Sequence, residues 1–259
     1  MGSTNKIPIN LLLPEQINVG KICPGSVAVL TSGGVESAVL VGILPNYFRS
    51  VHPIYVRFGL IWEKIEQQFL ANYLEAIKQP EIKALKVLDL PVGNIYKNHW
   101  SISGNDTPDA NSKDEAVYLP GRNILFLAQT TVWCSSNQIP FIALGSLSTN
   151  PFPDASIEFF EQMENVLSAG LNFAITILRP FSKMHKEEVI QLGKDLPLHL
   201  TFSCIRPLIT RGENTKPSAV HCGVCNKCAE RQQAFLNANI NDKTLYATPA
   251  LVKQQQFIS

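Results

Sequence analysis

Two short stretches hold residues whose types and spacing suit chemistry. The first is "VAVLTSGGVESAVL", residues 27–40, where one apolar run stops at Thr31-Ser32-Gly33-Gly34 and a second starts behind Ser37. A strand that turns directly into a helix leaves backbone N–H groups unpaired at the positive end of the helix dipole. Gly33 and Gly34 allow a sharp bend and a close approach with no Cβ in the way, and Ser32 and Ser37 add hydroxyl donors. These are the parts of a phosphate cradle. The plainer alternative is an ordinary strand–helix turn capped by serine. No Gly-Lys-Ser/Thr follows, so this is not a Walker loop, and the adjacent glycines do not fit the dinucleotide fingerprint.

The second stretch is "HCGVCNKC", in which Cys222, Cys225 and Cys228 form a doubled Cys-x2-Cys, with Cys204 upstream in "TFSC". Four thiolates at this spacing suit tetrahedral zinc in a closed, structural site, and Gly223 suits the tight turn of a knuckle. His221 competes with Cys204 for the fourth position. Cys204 is preferred, because His221 abuts Cys222 and cannot easily reach the same ion. A nucleic-acid-binding knuckle would want flanking basic and aromatic residues, whereas only Lys227 and Arg231 stand close by.

The elements that must position these residues alternate. "SVAVL" reads as a buried strand, with a helix starting over Glu36 to Gly42, and "VHPIYVRF" as a second strand. In "WEKIEQQFLANYLEAIKQ", Ile65, Phe69, Tyr73 and Ile77 recur every four residues, the mark of an amphipathic helix, which Pro80 closes. "IKALKVLDLPV" is a third strand. Residues 98–123 read as a long loop of the kind that serves as a lid or binding segment. Then come helix "ILFLAQTTVWCSSN", strand "PFIALGSL", a helix over about 154–169, strand "FAITILRPF", and helices near 185–194 and 228–238. This order predicts a doubly wound parallel sheet with ligands at the carboxyl ends of its strands.

At 259 residues with 45% hydrophobic content, the chain can bury a sizeable core. A net charge of +1 argues against a protein that coats nucleic acid. No apolar run reaches bilayer-spanning length, and "MGSTNKIPIN" lacks a signal-peptide core. Lys6 stands where a myristoylation signal needs Ser or Thr. Clustered cysteines suit a metal better than a secreted disulfide framework, so a cytoplasmic protein with no membrane partner is expected. The expected division is a leader (1–24), an α/β domain (25–200), a zinc segment with its helix (201–240) and a tail (241–259).

The glycine loop resembles Ser-Gly-Gly-x-Asp-Ser, the pyrophosphate loop of the ATP pyrophosphatase (PP-loop, adenine nucleotide alpha hydrolase-like) superfamily, with Glu36 in place of Asp. "YLPGRN" (118–123), "PFPDA", "HKEEV" and the cysteine knuckle follow in an order that resembles the 7-cyano-7-deazaguanine synthase (QueC/ExsB) family, over about Ser26 to Arg231. The resemblance implies an ATP-dependent carbon–nitrogen ligase, working with magnesium and a structural zinc, that joins ammonia to 7-carboxy-7-deazaguanine by way of adenylates. It also implies a homodimer. Leu30, Thr31, Ser32, Gly33, Gly34, Val35, Glu36 and Ser37 would hold ATP with Arg122 and Asn123. Ser32, Glu36, Ser37 and Arg122 would serve the chemistry. Asp154 and Lys186 would serve the substrate, and Cys204, Cys222, Cys225 and Cys228 the zinc.

The chain departs from the family pattern on the substrate side. Ala155-Ser156 follows Asp154 where the family has Cys-Arg, and the glutamine- and histidine-bearing stretch after the second strand reads "YVRFGLIWEKIE". Asp154 could read the N–H edge of a guanine-like base or cap a helix. Asn123 could likewise cap the helix it opens. These departures also fit a QueC-like paralogue that forms an amide or conjugate, as in antiviral defence systems. A tRNA-thiolating relative would need a catalytic cysteine, for which Cys134 and Cys23 are poorly placed, and a non-enzymatic zinc module would not need the cradle.

Overall fold

The computed structural model describes residues 23–210 and 218–248, and the expected leader lies almost wholly outside them. In chain order the elements are β1 (Cys23–Leu30), α1 (Val35–Ile43), β2 (Phe48–Arg57), α2 (Glu63–Ala76), β3 (Lys86–Asp89), α3 (Gly93–Tyr96), α4 (Trp100–Ser103), α5 (Arg122–Ser136), β4 (Phe141–Ala143), α6 (Ile157–Leu171), β5 (Thr176–Leu178), α7 (Lys186–Leu192), β6 (Leu208–Thr210), β7 (Ser218–Val220) and α8 (Asn226–Asn237).

The five long-range strands form a parallel sheet in the order β3-β2-β1-β4-β5. β1 is central, and Val27, Ala28 and Val29 are wholly buried because helices cover both faces of the sheet. Val27 and Val29 pack with Val39 and Leu40 of α1, Val189 and Ile190 of α7, and Phe235 of α8. Ala28 packs on the other face with Leu127 of α5, Ile142 of β4 and Phe160 of α6. The expected doubly wound sheet is therefore present. Strand order reverses between β1 and β4, which opens a crevice at their carboxyl ends.

Three features differ from the sequence reading. β6 and β7 form an antiparallel pair that periodicity did not mark. The stretch 98–123 is not a free lid. It contains α4 and a 3-10 turn at Asp114–Val117, and it is strapped to the cysteine segment by Ala110 N to Val224 O (3.0 Å) and Asn226 N to Pro108 O (3.1 Å). Residues 241–248 fold back onto the knuckle, where Ala247 N donates to His221 O at 2.8 Å. Among the described residues, no helix is long and apolar enough to cross a membrane.

Candidate functional site

The cradle forms where β1 ends. Thr31 N donates to Ile54 O at 2.8 Å and extends the ladder one residue past the strand. Gly33 then takes φ +79°, a left-handed conformation that favours glycine. Gly34 is extended and stands at the N-cap of α1 with no side-chain cap. The first-turn N–H groups of α1 consequently face the crevice without an intrahelical acceptor. Ser37 Oγ donates to Gly34 O at 3.1 Å, and Gly34 N donates to Ser32 Oγ at 3.3 Å, so both hydroxyls brace the loop. A Cβ on Gly145, just past β4, would lie 2.8 Å from Glu36 Cβ, so glycine lets β4 close against α1.

Two adjoining clefts open here, of about 890 and 1070 Å³ including space open to solvent. The first has an apolar wall of Leu30, Ile54, Val56, Phe58, Phe126 and Leu144. The second is walled by Trp62, Trp100 and Phe152, the two tryptophans stacked at 5.5 Å, and ends at Lys186 and Lys227. Both clefts are lined by Ser32, Glu36, Glu66, Arg122, Gly145 and Asn150, which places these residues at the junction.

Of the residues singled out from sequence, Leu30, Thr31, Ser32, Glu36, Ser37, Arg122 and Asn123 line the first cleft, and Gly34 and Lys186 the second. Val35 is wholly buried in the core of α1, which leaves only its backbone for a ligand. Arg122 opens α5 with its guanidinium 4.9 Å over the Phe126 ring, and its buried Nε has no partner among the described residues. Lys186 sits at the start of α7, 2.9 Å from Glu36 Oε1 and 2.6 Å from Glu230 Oε1, and Lys227 lies 2.6 Å from Glu230 Oε2. Burial works against the Lys186 charge, but the two carboxylates outweigh it and raise its pKa. Burial likewise opposes the Glu230 charge, but Lys186 and Lys227 draw its pKa down to about 2.

Of its two expected roles Asp154 takes that of a helix cap, though for α5 and not for the helix that follows it. It is buried, lines neither cleft, and accepts from Asn123 N at 2.9 Å, while Asn123 Nδ2 donates to Asp154 O at 2.7 Å. The physical reason is a capping need. Gly121 at the N-cap of α5 has no side chain, so an acceptor for the first turn comes from a distant segment. The cap of α6 is supplied by Ser156, which accepts from Phe159 N at 3.1 Å.

Sequence reasoning missed the acids of α2. Glu63, Glu66, Leu70 and Tyr73 are its buried residues, whereas Ile65, Phe69 and Ile77 are half-buried. Glu63 accepts from the backbone N–H groups of Phe58 and Gly59 and so fixes the loop after β2. Glu66 Oε2 accepts from Tyr55 Oη at 2.5 Å. The signal was available, because Glu63, Glu66, Leu70 and Tyr73 also follow helical spacing.

The four cysteine sulfurs lie within 4.8 Å of one another, with Cys204–Cys225 and Cys222–Cys228 both at 3.9 Å. A zinc tetrahedron with Zn–S near 2.3 Å has an edge of about 3.8 Å, so the cluster fits one ion and could hold a metal. Cys222 N and Arg206 N donate to Cys204 Sγ at 3.3 and 3.4 Å, as a thiolate would require. His221 is not part of the cluster. Its Nε2 accepts from Ser203 N at 3.1 Å, and burial, with Arg231 nearby, pushes its pKa down to about 3. Gly223 takes φ +83°, and Thr248 O comes so close that any Cβ would collide with it. Arg231, wholly buried, ties the segment down by donating to Thr201 Oγ1 (2.7 Å), Leu198 O (2.8 Å) and Thr244 Oγ1 (2.8 Å).

The family profile described as "Queuosine biosynthesis protein QueC" matches residues 26–239. The chain belongs to the QueC family. The match encloses the cradle, both clefts and all four clustered cysteines. The 7-cyano-7-deazaguanine synthase of Methanobrevibacter smithii is 30% identical over 230 residues, covering 83% of this chain and 95% of that protein. The synthases of Methanothermobacter thermautotrophicus and Acetivibrio thermocellus are each 26% identical, over 84% of this chain and 97% and 96% of theirs. No described cysteine lines either cleft, and burial raises the Cys134 thiol to about 12.

Proposed function

We propose that this QueC-family chain is an ATP-dependent ligase that converts 7-carboxy-7-deazaguanine and ammonia to 7-cyano-7-deazaguanine, releasing AMP and pyrophosphate. The observation that carries the reading is the uncapped N-terminus of α1, set where two clefts meet. A carboxylate is inert to ammonia because its oxygen leaves poorly. Transfer of AMP to that oxygen makes it a leaving group, and ammonia then displaces AMP to give an amide. A second adenylation, on the amide oxygen, leads to the nitrile. No protein nucleophile is needed, so catalysis is positioning plus charge stabilisation at phosphorus.

In this reading Leu30 and Thr31 border the nucleoside, and Ser32, Gly33, Gly34, Val35 and Ser37 offer backbone N–H and hydroxyl groups to the phosphates. Arg122 faces the charge that develops at the α-phosphate. Asn123 bordering the same cleft is held by Asp154, which becomes a positioning residue and not a base reader. Lys186 orients Glu36 beside the phosphate loop. Magnesium would neutralise phosphate oxygens, and Cys204, Cys222, Cys225 and Cys228 would hold zinc as a structural ion.

A second reading keeps the adenylation and changes the product to an amide or a conjugate with another acceptor, as in an antiviral defence enzyme. It draws on Trp62 and Glu66, which fall in the stretch that departs from the family pattern and line the second cleft. Incubation with ATP, magnesium, ammonia and 7-carboxy-7-deazaguanine, read by mass spectrometry, separates the two. The nitrile with AMP and pyrophosphate is expected, and the amide as end product favours the second reading. ADP and phosphate would overturn adenylation itself.

A further inference from the structure

A nucleotide in one cleft and an acceptor in the other must react where the clefts meet, and the ionisable groups at that junction are Glu36, Glu66 and Arg122. Glu36 is engaged by Lys186 at 2.9 Å. Arg122 is a fixed cation. Glu66 is different, because it is buried, borders both clefts, accepts from Tyr55 Oη at 2.5 Å and has no ion-pair partner within 4 Å among the described residues. Its partner acid one turn earlier, Glu63, already holds the loop after β2 through Phe58 N and Gly59 N, so that structural task does not fall to Glu66.

We infer that Glu66 is the general base of the amine step, taking the proton that the attacking nitrogen must shed. The inference rests on the adenylating reading above. The nitrogen lone pair forms a bond to the acyl carbon, and the carbon–oxygen bond to AMP breaks. AMP leaves with that electron pair, one proton passes from nitrogen to a Glu66 oxygen, and the carboxyl then returns it to water. Conversion of the amide to the nitrile removes two further N–H protons at the same point, so a base there serves again.

The surroundings match the task. Burial raises the Glu66 carboxyl to about 7, against the opposing effects of the Tyr55 hydrogen bond, Arg122 and Trp62, and with Glu63 pushing the same way. A base with a midpoint near the working pH is the efficient one. Tyr55 reaches it from β2, Trp62 and Glu63 from its own helix and the residue before it, and Arg122 from α5.

The test is Glu66→Gln in the full chain, which keeps an acceptor for Tyr55. Carboxylate-dependent ATP–pyrophosphate exchange reports adenylation alone, and amide formation from ammonium chloride reports the nitrogen step. Exchange within about threefold of wild type, amide formation lower by roughly 10²–10⁴-fold and loss of the break near pH 7 in the rate profile are expected. Equal losses in both assays, or an unchanged amide rate, would overturn the inference. Absence of exchange in the wild-type protein is a failure of the adenylating reading, and the inference is then judged on the protein alone. Infrared titration should find one carboxyl ionising near pH 7 that the variant lacks, whereas a Glu66 midpoint near the ordinary 4.5 would overturn it.

Discussion

The cysteine knuckle and the cleft are built on opposite plans. The knuckle gathers its ligands from two nearby segments, closes them into a buried cluster and leaves no sulfur facing either cleft. The cleft gathers Ser32, Glu66, Arg122 and Gly145 from the ends of four elements far apart in sequence and leaves ionisable groups partly unpaired. One region spends its polar groups on order, the other keeps them for a ligand. They are joined all the same, since the strap from Val224 and Asn226 to residues 108–112 holds the segment that leads to Asp114 and Val117 in the second cleft.

The strongest way to break this division is to remove the knuckle. With zinc held there as proposed, Cys228→Ser should abolish retained metal and melt α8 with its strap, since structural zinc sites contribute on the order of 10 kcal/mol. Metal analysis and circular dichroism check it. A variant that kept metal and stability yet lost turnover would show the knuckle to be part of the chemistry.

Arg122→Ala probes the other side. In the proposed reaction Arg122 faces the developing charge, so its removal should lower AMP formation by about 10²–10³-fold, while the lost stacking on Phe126 lowers stability by only about 1 kcal/mol. A stability loss as large as the knuckle's would erase the contrast.

The smallest effect sharpens it. Glu66 has a folded-state pKa raised from 4.5 to about 7, so the native state binds the extra proton between those values. Its contribution is favourable below pH 4.5, and stability falls as pH rises towards 7, by roughly 3 kcal/mol relative to Glu66→Gln. Denaturant melts of both proteins at pH 5 and pH 8 measure this. The same slope in both would show that Glu66 carries no such cost.

Legibility in the sequence follows the same division. The glycine loop and the knuckle are local, so residue type and spacing were enough to place β1, α1 and the four clustered cysteines. Which helix Asp154 caps was not legible, because its partner, Asn123, lies 31 residues away and answers a capping need created by Gly121. Glu66 was missed because acids on an amphipathic helix read as solvent-facing until the crevice above them is known. β6–β7 and the returning segment 241–248 carry no period, the first being fixed by mutual pairing and the second by its bridge to His221.

The central position of β1 also has a kinetic consequence. Val27 pairs with Val51 on one side and with Phe141 on the other, so the second pairing closes a very long loop. Such closures are slow because the entropy of the intervening chain is lost before the contacts form. During synthesis, β1, β2 and β3 can associate while β4 is still unmade. An intermediate of that kind presents Ser32 and Glu66 with neither Arg122 nor Gly145 beside them. The lining of the first cleft is complete only when the sheet has closed on both sides of β1.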